Sequence, residues 1–243
     1  MNFRLKILVL LLMNALLSAC VFFTKHCDYK NIYLGDRLVK IVREDYGPGK
    51  VFVHLHANES TALKAARRVA RSQGGQVITL VHASTRDIEF HYHGRFYAFD
   101  PNRIYTRQGI IETLKKHHCY RKEVIPMIER FARQVLLTIP SGKIVAVHNN
   151  QDYSLLDYLP AHSLSHDAHA LYYSKNISYR NFYLVTQTKD FKRYRSMGFN
   201  VIQQAFHAKD DGSLSIAMKH RNYVNVEAGY HELRPQMQML KLA

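Results

Sequence analysis

The segment from Val51 to His82 constrains the fold of this chain more than any other part of the sequence. Its first residues, VFVHL, are apolar except for one histidine, which is typical of a buried strand. Residues 60–72 carry the spacing of an amphipathic helix that Gly74 ends, and residues 76–82 (QVITLVH) predict the next buried strand. A strand, a helix and a strand of these lengths form a βαβ unit with parallel strands and a right-handed crossover.

The rest of the chain supplies further elements of both kinds. Residues 149–180 show no clear period and indicate a loop or lid over a site. Apart from these, we expect a strand or hairpin at 31–43, a hairpin at 87–92 and 95–99, a helical pattern at 112–137 that Pro126 splits or starts, strands at 143–147, 182–186, 199–203, 213–218 and 223–226, and helices at 190–197 and 235–240. The predicted fold is therefore α/β, with a mixed, largely parallel central sheet flanked by helices.

The N-terminal residues form a targeting signal rather than part of that fold. Arg4 and Lys6 precede an apolar run over residues 7–17, which is too short for a comfortable membrane span and ends in Leu-Ser-Ala-Cys20. This ending resembles the lipobox of bacterial lipoproteins, in which the cysteine becomes the lipid-modified N-terminus. An ordinary secretory signal cleaved nearby is the alternative. We predict a signal peptide over residues 1–19, lipidation of Cys20, a tether over 20–30 and one domain over 31–243.

This signal places the protein outside the cytoplasm, on the periplasmic side of a bacterial membrane and anchored through lipid. Val21 follows Cys20, so the aspartate that resembles an inner-membrane retention signal is absent. In an oxidising compartment Cys27 and Cys119 either pair or remain free and buried, and the sequence leaves both possibilities open.

The formal net charge of +15 suggests an anionic partner such as a cell-envelope polymer or an acidic phospholipid surface. A solvated basic face without a partner is the alternative. Nucleic acid is not expected, because the protein is exported and no basic stretch is interleaved with aromatic residues.

Several predicted strands end on residues that carry chemistry. His56 and Glu59 follow the first strand of the βαβ unit, His148 follows the strand at 143–147, and Glu227 follows the strand at 223–226. In an α/β fold, ligands bind at the carboxyl ends of the parallel strands. Imidazole nitrogens and carboxylate oxygens suit zinc, and a catalytic zinc site has three protein ligands and one open position.

The set and order of these residues resemble the zinc carboxypeptidase superfamily, which includes the succinylglutamate desuccinylases and aspartoacylases. The HANE sequence at 56–59 is close to the HGNE form of the aspartoacylase branch, and Asp100-Pro101-Asn102-Arg103 matches an Asp-Leu-Asn-Arg segment except for the proline. Val147-His148-Asn149 falls where the third ligand belongs, and Glu227-Ala228-Gly229 resembles Glu-Val-Gly. The resemblance implies a zinc carboxypeptidase-like fold and one Zn²⁺ per chain held by His56, Glu59 and His148.

The resemblance also implies roles around the metal. Glu227 would take a proton from the attacking water, Arg95 would face the developing oxyanion, and Asn102 with Arg103 would clamp a substrate carboxylate. The alternatives are a structural ion pair for each arginine and an ordinary exposed acid at the end of a strand for Glu227.

The implied function is zinc-dependent hydrolysis of an amide bond, of the carboxypeptidase or the deacylase type. The substrate would be a peptide or an N-acylated amino compound, with cell-wall stem peptides suggested by the compartment. A non-catalytic basic lipoprotein of the same fold that binds an anionic envelope component is the alternative. Among the other histidines, His54 is expected to be a satisfied core residue. His162, His166 and His169 have a spacing that would form a second metal site on a helix, but they lie in the region without a clear period.

Overall fold

The computed structural model describes residues 25–243. The predicted signal peptide at 1–19, the lipidation site Cys20 and the tether up to residue 24 lie outside the described residues. In the part of the chain that the structure describes, no helix is both long enough and apolar enough to cross a membrane.

The described chain contains one large sheet and one small hairpin. The strands are β1 His26–Leu34, β2 Arg37–Asp45, β3 Val51–His54, β4 Gln76–Val81, β5 Ile88–Tyr92, β6 Arg95–Phe99, β7 Ile144–Asn150, β8 Ala168–Tyr172, β9 Phe182–Val185, β10 Val201–Gln204 and β11 Tyr223–Gly229. Over residues 25–243, nine of them form a sheet in the order β1-β2-β4-β3-β7-β11-β9-β10-β8, and β5 and β6 form the hairpin.

The centre of the sheet is parallel and its flanks are largely antiparallel. Strands β4, β3, β7 and β11 are parallel neighbours, and β9 is parallel to β10. The pairs β1–β2, β2–β4, β9–β11 and β8–β10 are antiparallel. The prediction of an α/β fold with a mixed sheet is therefore confirmed, although parallel pairs predominate only at the centre.

Helices pack on both faces of the sheet. They are α1 Ser60–Gln73, α2 Arg107–Lys116, α3 Ile125–Thr138, α4 Thr188–Ser196, α5 Leu214–Ala217 and α6 Leu233–Leu242. Helices α1, α4 and α6 bury apolar side chains in one core, whereas α2, α3 and the β5–β6 hairpin contribute to the core on the opposite face. The βαβ unit β3–α1–β4 is confirmed, and Gly74 follows α1 with a positive φ of 78°.

Three predicted elements differ from the structure. The helical pattern over 112–137 is two helices, and Pro126 lies in the first turn of α3, where its missing N–H costs no helical hydrogen bond. Strand β8 lies inside the region expected to be irregular. The strand predicted at 213–218 is wrong, because the backbone N–H of Leu214 donates to Asn102 Oδ1 and the segment turns into the short helix α5.

The chain enters the sheet earlier than the sequence suggested. Residues 26–30 were expected to belong to the tether, but they pair with β2 as the first half of β1, with His26 opposite Asp45. Cys27 on this strand is exposed, and the Cys119 thiol lies against the backbone of Ala98. Both thiols are free.

Candidate metal centre

The topology brings the ends of β3, β7 and β11 together at one edge of the sheet. Strands β7 and β11 are parallel and in register, with His148 directly opposite Glu227. Because side chains of in-register neighbours point to the same face, these two residues lie side by side. His56 and Glu59 lie between the end of β3 and the start of α1, with Glu59 at the N-cap position.

His56, Glu59 and His148 converge into a buried cluster. His56 Nδ1 lies 2.8 Å from Glu59 Oε1 and 3.2 Å from His148 Nδ1. His148 Nδ1 lies 3.1 Å from Glu59 Oε2. The potential ligand atoms all lie within 4.8 Å of one another, and each residue is at most 3% exposed. This group could hold a metal ion, and within residues 25–243 it is the one cluster of three such residues.

Asp100 determines how His56 presents its ring. The Nε2 atom of His56 lies 2.7 Å from Asp100 Oδ1, which as a carboxylate can only accept, so this nitrogen carries the proton. In the neutral ring, Nδ1 therefore directs a lone pair at Glu59 and His148. Lone pairs and a carboxylate in such close contact repel one another unless a cation or a proton lies between them, and the donor set therefore fits a metal ion.

The electrostatics of the cluster favour positive charge. Burial disfavours the imidazolium form of His56, but the Glu59 and Asp100 carboxylates outweigh this effect and raise the pKa of His56 to about 9. Burial would raise the pKa of Glu59, yet the two histidines hold it well below its usual value. In the metal-free protein, a proton on His56 thus occupies the place of a cation.

Arg86 is a site residue that the sequence did not indicate. Its Nη1 atom donates to Glu59 Oε1 at 2.8 Å, and its Nη2 atom donates to Asp100 Oδ2 at 3.3 Å. Asp100 belongs to the DPNR segment, where the sequence implied roles for Asn102 and Arg103 alone. Arg86 lies in the loop between β4 and β5 with no motif around it, so only tertiary structure could find it.

Arg95 does not join the cluster. It is exposed at the first position of β6, whereas Asp100 follows the last residue of that strand. Five residues of extended strand separate the two Cα atoms by roughly 16 Å. The predicted role of Arg95 at an oxyanion therefore disagrees with its position, and Arg86 is the arginine beside the cluster.

Glu227 is buried and held by two amides. Asn225 Nδ2 donates to Glu227 Oε1 at 3.0 Å, and Asn150 Nδ2 donates to Glu227 Oε2 at 3.1 Å. The residue is 5% exposed and lines the same cavity as His148. The alternative of an ordinary exposed acid is therefore wrong for Glu227.

Asn102 and Arg103 also border the cavity, but both have protein partners. Asn102 Oδ1 accepts from the backbone N–H of Leu214, and Arg103 Nη1 lies 3.3 Å from Asp211 Oδ2. Asn102 thus connects the DPNR segment to α5. Asp211 offsets the charge that Arg103 presents to a ligand.

The cavity beside the cluster has a volume of about 570 Å³. It is lined by Glu59, His148 and Glu227, and by Tyr153 and Tyr158 of the predicted lid, whose rings lie against Phe182 of β9. A cavity of this size accommodates a ligand of a few tens of atoms. Its walls carry charges of both signs from Arg86, Arg103, Lys116, Lys209, Asp152, Asp167 and Asp211.

The remaining histidines behave as core or surface residues. His54 Nδ1 lies 2.9 Å from Thr79 Oγ1 and its Nε2 lies 3.0 Å from the Glu59 carbonyl oxygen, so both ring nitrogens have partners. Burial lowers the pKa of His54 to about 4, which keeps the ring neutral. His162, His166 and His169 form no metal cluster in the described chain.

Comparison of the sequence with protein-family models finds no match, and neither does a search of curated proteins.

Proposed function

We propose that the protein is a zinc-dependent hydrolase of an amide bond, with one zinc ion per chain. The observation that carries the proposal is the convergence of His56 Nδ1, His148 Nδ1 and the Glu59 carboxylate beside the buried carboxylate of Glu227. Two nitrogens bound to one tetrahedral zinc at about 2.0–2.1 Å are roughly 3.3 Å apart. The 3.2 Å separation of the two Nδ1 atoms agrees with this value.

Each residue has a role that follows from its position. A bound zinc ion would lower the pKa of a water molecule and polarise a carbonyl group. Glu227 is the general base, and its two amide donors fix the orientation of the carboxylate. Asp100 positions His56 through its Nε2–H.

Arg86 supplies positive charge next to the zinc ligands. It is ion-paired with Glu59 and Asp100 and lines the cavity, so its guanidinium can stabilise negative charge that develops on a substrate oxygen. We therefore assign to Arg86 the role that the sequence had suggested for Arg95.

The substrate class is a peptide or an N-acylated amino compound. Arg103 lines the cavity as a candidate partner for a substrate carboxylate, in competition with Asp211. Export, lipidation of Cys20 and a cell-wall substrate stay predictions.

The second candidate is a non-catalytic basic lipoprotein of the same fold. The net charge of +15 favours it. A non-catalytic protein of this kind would have Glu227 displaced from the histidines. Glu227 is instead the in-register neighbour of His148 and lines the same cavity, which favours the hydrolase.

The decisive experiment measures zinc content after purification and dialysis against trace zinc. We expect about one zinc per wild-type chain, clearly less in His148→Ala, and an unchanged content in the control His162→Ala, which alters an exposed histidine. A panel of peptides and N-acyl amino acids would then be tested on the wild type and on Glu227→Gln, which should bind zinc without turnover. A wild-type protein that binds no zinc would contradict the proposal.

A further inference from the structure

The positive charge of this protein is concentrated on one face of the sheet. Helices α1, α4 and α6 together carry ten cations and one acid, a net charge of +9, whereas α2 and α3 on the opposite face carry five cations and two acids. The one acid within these three helices, Asp190, is buried and paired with Lys143. The exposed cations of the three helices are Lys64, Arg68, Arg71, Lys189, Lys192, Arg193, Arg195, Arg234 and Lys241.

Lys50, which lies next to these helices, adds a further positive charge and has no carboxylate partner within residues 25–243. Lys50, which precedes β3, donates to the carbonyl oxygens of Leu240 and Lys241 at the end of α6. Burial, together with the nearby charges of Lys143 and Arg193, lowers the pKa of Lys50 to about 8. The cations on this side therefore repel one another and would be stabilised by an anionic surface.

Exposed tyrosines lie on the same face. Tyr29 and Tyr33 are 64% and 68% exposed on the edge strand β1 and pair with Val42 and Leu38 of β2. Two residues beyond Val42 on β2, Glu44 contacts Arg67 of α1, so this side of the hairpin is the side that α1 covers. Exposed tyrosines beside cations are typical of surfaces that lie at a membrane–water interface.

We propose that the face formed by α1, α4 and α6, together with Tyr29 and Tyr33 at its border, docks on an anionic phospholipid surface. A face rich in exposed cations attracts acidic headgroups, and the tyrosines can enter the interfacial layer. The described chain begins at Lys25, one residue before this border strand and five residues after Cys20, and five residues span at most about 17 Å. A lipid on Cys20 would therefore hold this part of the molecule close to a bilayer.

Docking on this face directs the cavity away from the lipid. His148 lies two residues after Ala146 on β7, and Glu227 lies four residues after Tyr223 on β11, so the side chains of each pair point to the same face of the sheet. Ala146 and Tyr223 pack in the core on the side of α2 and α3. The cavity thus lies on the side of the sheet opposite to the basic helices and stays open to substrate from the aqueous phase.

The test uses the full chain and unilamellar vesicles, either of phosphatidylcholine alone or with 30% phosphatidylglycerol. The quantity measured is the partition coefficient on anionic vesicles divided by that on neutral vesicles, at 50 mM salt. All variants share the same N-terminal segment, so its contribution to this ratio is the same in each. Arg68→Gln/Lys189→Gln/Lys192→Gln removes three charges from the basic face. The matched control, Lys115→Gln/Arg130→Gln/Arg133→Gln, removes three exposed charges from α2 and α3.

We expect the ratio to fall at least tenfold in the basic-face variant and less than twofold in the control, and to fall in the wild type when salt is raised to 300 mM. Equal losses in the two variants would overturn the proposal, because the attraction would then reflect net charge alone. Tighter binding of a 20-nucleotide single strand than of the anionic vesicles, with that binding lost only in the basic-face variant, would also overturn the proposal. The basic face would then be a nucleic-acid-binding surface. Unfolding midpoints of the three proteins check that each is folded.

Discussion

At the scale of single residues, Asp100 controls the candidate metal centre without contributing a ligand atom. Its Oδ1 atom accepts from His56 Nε2 and from the backbone N–H of Asn102, and its Oδ2 atom accepts from Arg86. The carboxylate thereby fixes the tautomer of His56 and increases the basicity of the nitrogen that faces Glu59. Partners of this kind typically change metal affinity by 10–100-fold.

Replacing Asp100 should therefore weaken metal binding while the fold is kept. In Asp100→Asn the acceptor oxygen remains but the negative charge is lost, so we expect zinc affinity to fall by about 10–100-fold. Competition with a chromophoric chelator measures the change. Asp36→Asn, which alters an exposed aspartate on the β1–β2 turn, should leave the affinity unchanged. Equal affinities for Asp100→Asn and the wild type would show that Asp100 does not tune the site.

At the scale of elements, the register between β7 and β11 decides which side chains meet. It joins His148 and Glu227 across a sequence separation that no local pattern spans. Another close approach joins the DPNR segment to the loop before α5. The ideal Cβ position of Gly109, in the first turn of α2, lies 2.3 Å from the Cα of Gly212 and 2.7 Å from the carbonyl oxygen of Arg103.

This contact reverses the usual effect of a glycine-to-alanine change in a helix. Such a change normally stabilises a helix by roughly 0.5–1 kcal/mol. In Gly109→Ala the added methyl group would overlap backbone atoms, so we expect a loss of about 1–3 kcal/mol in the free energy of unfolding. Urea denaturation measures it, with Gln108→Ala at the preceding exposed position as the control. A stabilised Gly109→Ala would show that α2 and the loop are not in close contact.

At the scale of the whole molecule, the burial of Lys50 close to other cations makes the stability of the fold depend on pH. The folded protein lowers the pKa of Lys50 to about 8, from 10.5 in an unfolded chain. Between these values the unfolded state binds the proton and the folded state does not, so stability rises with pH. Below about pH 8 the lysine is charged in both the folded and the unfolded state, and this increase in the free energy of unfolding is absent.

We therefore expect the unfolding midpoint to rise between pH 8 and pH 10, and to rise less in Lys50→Met. Other groups titrate in this range, so the measured quantity is the difference in thermal unfolding between the variant and the wild type. Lys64→Met, on the exposed side of α1, is the control. A pH profile of Lys50→Met parallel to that of the wild type would contradict the origin assigned to the rise.

Local sequence determined much of this protein, because apolar runs, helical spacing and glycine stops act over a few residues. The unit β3–α1–β4, the β5–β6 hairpin and the placement of His56, His148 and Glu227 near the carboxyl ends of strands followed from such patterns, although β7 and β11 each continue two residues past His148 and Glu227. Tertiary structure decided what depends on contacts between distant segments. It selected Arg86 rather than Arg95 as the arginine beside the cluster, made residues 214–217 a helix through Asn102, and added β8 as the edge partner of β10. The energies of these contacts depend on which segments meet in space, and no short window of the sequence contains both partners.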